Sequence, residues 1–502
     1  MRMSAALSPT RRWASLAVLV GAVSLLAIDA TVLYLAVPSL TAELSPTATQ
    51  VLWIGDIYSL ALAGLLVTMG NLADRIGRKR LLLVGAAAFG LASALAAFAP
   101  SAEALIAARL LLGVAGATIM PSTLSLIRNI FTDQIERTRA IAIWSAAAAS
   151  GIALGPLVGG ALLEHFWWGS VFLINLPVML LVLIVGGWLL PESRNPAPGR
   201  FDLISSGLSM LTIIPFVYTV KKLTGGTFGV TAAVAIVASV VGGVLFLRRQ
   251  RRVDSPMIEV DLFRNPAFSG AVLVNFISVF ALSGVLFFFS QYLQLARELS
   301  PLRAGLAQLP AAVAAMAAVA AVGFLLTRLG RGRAIAVALL TGAVGLAILA
   351  ALEGSEQLGW VLLAVVPLGL GIGVAETLSV DAVVSAVRPA KAGAAASVAE
   401  TAYELGVALG IAILGSVITV LYRFHLTLPA GVADGVAIRA EDSLAAADTV
   451  LDPGSAALEA AQEAFVSAMQ ATTLIASAVM VIAAIVAFTL IPNDRDAAPA
   501  EH

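Results

Sequence analysis

Five ionisable residues stand inside otherwise apolar runs. They are Asp29 in LLAIDATVLYLAVP, Asp56 in LWIGDIYSLALAG, Arg109 in ARLLLGVAGA, and Glu400 and Glu404 in VAETAYELG. A charge at the centre of a bilayer costs about 2.5–3.5 kcal/mol on insertion scales, so a span that keeps one turns it to the bundle interior. Burial penalises the ionised form of a carboxyl group, which lets such a group alternate between protonated and ionised states. Ionised, it attracts a lipophilic cation; protonated, it releases it. Competition at one carboxylate therefore couples proton and cation movement without contact between the two. Asp29 is the first candidate for proton coupling. Glu400 and Glu404, at i and i+4 on one helix face, come next and are also candidates for cation binding. Asp56 reads as a substrate-side acid or as an interfacial one. Arg109 stays charged and needs acceptors, either carbonyls of the first span or an acid such as Asp29, as a tether or as a tuner of the proton path. Aromatic faces attract organic cations by about 0.5–2 kcal/mol. Trp53, Tyr58, Tyr34, Tyr403 and Phe288 lie near the acids in sequence or in the second half, with lipid or packing contact as the alternative for each. The run Phe287–Phe289 points three ways round a helix, so only part of it faces any cavity.

These residues need elements to position them. The chain of 502 residues is 60% hydrophobic and 12% charged, about half the charged fraction of a soluble domain. Apolar runs long enough to span a bilayer at 1.5 Å per residue number about fourteen, from 13–38 to 466–491. Helices satisfy their own backbone in lipid, so the fold class is an all-α polytopic membrane protein. The first run is too long for a cleavable leader of 7–15 apolar residues and reads as a retained span. Of the 30 Lys and Arg, 23 fall in loops on one side and six on the other, with Arg109 between. Lys221 and Lys222, ending the short run 203–220, are counted with the six. The positive-inside rule then puts both termini in the cytoplasm. Residues 422–465 form a long acidic loop on the outer side, expected to be a partly helical hairpin that is either a tolerated insertion or a lid. There are no cysteines and only three scattered histidines, so neither a thiolate site nor a histidine metal centre is expected. No nucleophile–base constellation suggests an enzyme.

The chain also repeats itself. Gly70, Arg75, Gly77, Arg78 and Arg80 of GNLADRIGRKR recur 253 positions later as Gly323, Arg328, Gly330, Arg331 and Arg333 of GFLLTRLGRGR. GIALGPLVGG from Gly151 is echoed by GVALGIAILG from Gly406. Parallel repeats about the membrane normal are a transporter signature. Six spans per half leave two over, giving units 13–190, 203–247 and 267–491. In the first loop, Asp74 ends a helix beside Arg75, Gly77 and Arg78, with Arg137 in a neighbouring loop. A carboxylate there suits the helix dipole and the guanidinium groups and could latch the cytoplasmic ends in one state. Plain loop charge is the alternative, and Thr327 replaces Asp74 in the second copy. Gly151, Gly155 and Gly159 form a small-residue seam, and Pro156 removes a backbone bond.

GNLADRIGRKR resembles the loop signature of the major facilitator superfamily. GIALGPLVGG resembles its antiporter motif, and LLAIDATVLYLAVP the first-helix motif of its 14-span drug:proton antiporters. LWIGDIYSLALAG, IMPSTLSLIRNIF and GGALLEHFWWGSVFLINLP are similar to multidrug exporters of that family. The resemblance covers nearly the whole chain. It implies a major facilitator fold of two six-helix bundles plus two accessory helices, in a bacterial cytoplasmic membrane. It implies alternating-access efflux of lipophilic, mainly cationic compounds, driven by the proton gradient with no cofactor and no nucleic-acid partner, by a monomer. A same-fold transporter of a peptide or other metabolite is the alternative, and would favour more polar and positive groups in the membrane.

Overall fold

The computed structural model describes residues 8–194, 202–224, 229–253, 256, 258–387 and 392–493. Arg2, Arg200, Arg388, Lys391 and Arg495, counted above as loop charges, and His502 lie outside the described residues. Among the described residues, fourteen helices are long and apolar enough to cross a membrane: α1 (Pro9–Leu44), α2 (Ala48–Ile76), α3 (Arg78–Ala97), α4 (Ala102–Ile130), α5 (Gln134–His165), α6 (Ser170–Leu189), α7 (Leu203–Leu223), α8 (Val230–Gln250), α9 (Pro266–Ala296), α10 (Pro301–Val319), α11 (Arg331–Leu352), α12 (Leu358–Ser385), α13 (Ala395–His425) and α14 (Ala456–Leu490).

Local sequence starts and stops these helices. Thr47 and Gln50 form a reciprocal capping box at the head of α2, and Ser101, Asp133, Ser300 and Ser455 cap α4, α5, α10 and α14. Each supplies an acceptor to an N–H that the first turn leaves unpaired. Gly77 and Gly330 separate consecutive helices at φ 115° and 79°, a conformation that strains a residue with a Cβ.

The structure redraws some expected boundaries. The apolar stretch after α9, read from the sequence as one span over 304–326, is two helices, because α10 ends at Val319 and a short helix Val322–Leu329 follows. The last span starts already at Ala456. Within residues 422–465, α13 continues to His425 and two short helices follow, Asp434–Ala440 and Leu444–Val450.

Packing repeats as the sequence does. α1 lies on α5, α2 on α4, and α3 on α4 and α6; α9 lies on α13, α10 on α12, and α11 on α12 and α14. The second set is the first shifted by eight helices. α7 and α8 pair with each other, and α7 touches α2 of one half and α13 of the other. The halves meet through α2 with α13, α5 with α10, and α1 with α9, pairs that the repeat exchanges or maps onto themselves.

Glycines set these approaches. A Cβ at Gly151 would meet the Ser24 carbonyl oxygen at 2.6 Å, and one at Gly159 the Val32 side chain at 2.8 Å, both on α1, while Gly155 faces Thr31. In the second half Gly406 and Gly410 abut the α9 backbone at Phe276 and Phe280. Gly160 of α5 packs on Pro301, and Gly305 of α10 packs on the Pro156 carbonyl. The seam around Pro156 thus holds α5 to α1 on one face and to the other half on another.

Among the described residues, polar bonds between the halves lie away from the arginine-rich loops. Leu302 N–H donates to Glu164 (3.2 Å), Gln294 Nε2 to the Leu35 carbonyl (3.1 Å) and Ala48 N–H to Asp442 (2.6 Å). The halves are therefore joined at the face opposite those loops.

Candidate functional site

Asp29 is fully buried, and its two partners come from two other helices. Arg109 Nη1 of α4 donates to Oδ2 at 3.2 Å, and Asn175 Nδ2 of α6 donates to Oδ1 at 2.6 Å. The same Asn175 nitrogen donates to Ser93 Oγ of α3 at 3.0 Å. Arg109 also donates through Nε to the Ile54 carbonyl of α2 (3.2 Å) and lies 4.7 Å from the Tyr58 ring centroid. One guanidinium thus binds α1, α2 and α4 together. Both acceptors considered for Arg109 are used in kind: the acid is Asp29, but the carbonyl comes from the second span, not the first. Asp29 does not face a central cavity. It faces the interior of the first half, where its charge meets a fixed cation as a buried pair requires.

Asp56 has a partner of its own, apart from Asp29. It is fully buried and forms an ion pair of 2.6 Å with Lys221. Lys221 is not a loop charge: it belongs to α7, and its ammonium lies 3.6 Å from the Trp53 ring centroid.

The second-half acids form a different group. The α2–α13 seam runs from Leu52 against Gly415, through Gly55 against Ile411, to Ser59, whose hydroxyl lies close enough to interact with the Glu404 carboxylate. Glu404 is thus buried at the end of the seam nearer the arginine-rich face. Glu400 lies one turn further on, about 6 Å along the helix, and is half-buried. Glu376 of α12 stands close enough to Glu400 to repel its charge. Tyr403, between Glu400 and Glu404 in sequence, lies within electrostatic range of all three acids and of Tyr34 of α1. Among the described residues, no basic side chain forms an ion pair with Glu376, Glu400 or Glu404. Asp381 pairs with Arg331 at 3.0 Å.

The aromatic candidates divide. Tyr403 and Tyr34 belong with the acids. Tyr58 is buried beneath Arg109, and Trp53 is covered by Lys221. Phe288 is buried against Gly415 and Phe287 against Tyr34 and Gly55, so this run packs the helix seams.

In the first loop motif, Arg78 donates to Asp74 through Nη2 at 2.8 Å and Nε at 2.9 Å. Arg75 is exposed, and among the described residues Arg137 makes no ion pair with Asp74. Arg78 N–H donates to the Ser193 carbonyl (3.0 Å) and Arg333 N–H to Asn493 Oδ1 (2.8 Å). Each copy of the motif is thus fastened to the chain that follows the last helix of its half.

Asn175, Lys221 and Glu376 were not singled out as site residues. Asn175 was visible as an amide in VFLINLP, but a neutral side chain carries no insertion penalty of the size that marks an acid. Lys221 was disguised by its neighbour Lys222, since two lysines at the end of an apolar run read as an interface.

This arrangement defines a multi-pass helical membrane protein of two repeated six-helix halves with buried ionic groups between and within them. The chain belongs to the Major Facilitator Superfamily, whose family model matches residues 19–411. It is 47% identical to the multidrug efflux pump LfrA of Mycolicibacterium smegmatis, over 95% of this chain and 96% of that protein. It is 36% identical to the methyl viologen resistance protein SmvA of Salmonella typhimurium, over 91% of this chain and 93% of the relative. Among solved structures, the inward-facing, occupied form of a bacterial homologue of the human lysosomal transporter Spinster superposes with a TM-score of 0.65 at 17% identity, covering 98% of this chain and 100% of that one.

Proposed function

We propose that the protein is a proton-coupled antiporter that exports lipophilic, mainly cationic antimicrobial compounds, such as quaternary ammonium compounds and dyes, from a bacterial cell. The observation that carries this reading is the group Glu376, Glu400 and Glu404, gathered with Tyr403 where the two halves part. An acidic, aromatic surface with no ion-paired base among the described residues suits an organic cation. The names of the relatives agree with it: one is a multidrug efflux pump, and another confers resistance to methyl viologen, a dication.

The arginine-rich face is assigned to the cytoplasm by its charge, which puts both termini there and makes this the inward-facing form. The cation enters between the halves and meets Glu400, then Glu404 at the end of the α2–α13 seam. The units 13–190 and 267–491 rock about that seam, with 203–247 as an accessory pair. Protonating the acids removes their charge and releases the cation outward. Asp29 and Arg109 are the second ionic station: a proton on Asp29 loosens Arg109 from α1 while its bond to α2 remains. Asp74 paired within its own loop by Arg78 is the released condition of the latch. The working unit is a monomer in the lipid bilayer.

The test is flux of tetraphenylphosphonium in proteoliposomes under an imposed pH gradient. Export that follows the gradient is expected. Flux indifferent to the gradient removes the antiport, and movement of anions, neutral solutes or peptides alone removes the cation site.

A further inference from the structure

The accessory helix α7 puts a lysine where an organic cation would fit. Lys221 Nζ is 2.6 Å from the Asp56 carboxylate and 3.6 Å from the Trp53 ring centroid, and both charged side chains are buried. A carboxylate on one side and an indole face on another make the surroundings in which proteins hold quaternary and primary ammonium groups. We propose that Asp56 and Trp53 form a second cation-binding subsite, that Lys221 is its built-in occupant, and that the cationic group of an exported compound replaces Lys221 there. This rests on the reading of the protein as a cation exporter.

Three observations support exchange over a permanent strut. First, α7 belongs to neither repeated half. It lies at the edge of both, with Val217 and Ile213 packed among Ile57 and Leu60 of α2 and Ala408, Leu409 and Ala412 of α13. Only about a fifth of this helix is buried, so most of its length is not enclosed by protein. Second, its other contacts with α2 are adaptable: the flexible Met210 side chain over Gly64, and a hydroxyl pair, Thr68 with Ser206. Third, Asp56 is three residues from Ser59, about 4.5 Å along α2, so the subsite rides on the helix whose seam ends at Glu404. Parting of α2 from α13 changes what α7 leans on. A buried carboxylate deprived of its partner is costly, and an incoming cation removes that cost. Lys221 therefore sets which cations compete, favouring those that offer both a charge and an apolar face to Trp53.

The experiment measures tetraphenylphosphonium binding by equilibrium dialysis to purified full-length wild type, Lys221→Gln, Lys221→Met and the double variant Asp56→Asn/Lys221→Gln, with neutral triphenylphosphine oxide as the control. Removing the resident cation should tighten tetraphenylphosphonium binding about tenfold, equivalent to about 1.4 kcal/mol. The gain should vanish in the double variant and be missing for the neutral control. Equal affinity in wild type and both single variants, or a gain that survives loss of Asp56, overturns the subsite while leaving the exporter reading intact. Binding by neither wild type nor variant overturns both. If both single variants fail to fold, the pair is a structural strut and the proposal falls.

Discussion

Arg109 shows why residue chemistry matters more than residue charge at this site. Its fork reaches the Ile54 carbonyl and Asp29 from one planar group, a geometry a single ammonium cannot copy. Arg109→Leu should lower stability by about 3–5 kcal/mol, the cost of stranding a buried partner, read as a fall in thermal unfolding temperature in detergent. Arg109→Lys should keep cation binding but flatten the pH dependence of transport; an unchanged pH profile would show the arginine to be a tether alone. Glu353, in the turn between α11 and α12 outside both spans, gives a cleaner titration. It is buried, receives Thr473 Oγ1–H at 2.9 Å, and burial pushes its carboxyl up to about 8. In the unfolded chain a glutamate titrates near 4.3. The folded state therefore binds the proton more tightly, and stability should fall as pH rises from about 4 towards 8. Melting temperatures across that range should slope downward for wild type and stay flatter for Glu353→Gln; parallel curves would remove the assignment.

At the scale of the element, the repeated loop motif makes a comparison within one molecule. Gly77 and Gly330 both take positive φ with extended ψ, where a Cβ costs roughly 1–3 kcal/mol. Their surroundings differ. A methyl at Gly77 would meet the Glu192 side chain, which can swing away; one at Gly330 would meet the Asn493 backbone carbonyl, which cannot. Gly330→Ala should therefore reduce folded yield and melting temperature more than Gly77→Ala, and the reverse order would count against this packing. The motif was legible as a repeat because glycine and arginine recur at fixed spacing. That Arg78 takes Asp74 while Arg331 takes Asp381 of α12 was not legible, because the second carboxylate is supplied by another helix.

For the whole molecule, the joined face is where the two halves hydrogen-bond to each other. Asp442, between the two short helices after α13, accepts from Ala48 N–H at the head of α2 and from Arg423 (3.0 Å). It ties the long loop of the second half to the first half, an arrangement expected to work as a clasp. Asp442→Asn weakens both charge-assisted bonds and should favour parting of the halves on that side. The chain has no cysteine, so a single cysteine at Leu52, buried in the seam against Gly415, reports directly. Its labelling by a membrane-impermeant maleimide should speed up severalfold in the Asp442→Asn background. An unchanged rate would show that the clasp carries no part of the seam.

Composition, periodicity and repetition determined the helical class, the fourteen spans, the duplication and the short list of buried charges, because the demand for about 20 apolar residues per span and the penalty on intramembrane charge act locally along the chain. They also marked the glycines at which helices touch. What only the tertiary structure decided was the pairing. Asp29 and Asp56 look alike in sequence, yet one is held by Arg109 and Asn175 inside the first half and the other by Lys221 from an accessory helix. Glu376 joins Glu400 across two helices. Partners at such separations are chosen by helix rotation and crossing, which depend on side chains from every neighbour at once, and no spacing within a single run encodes them.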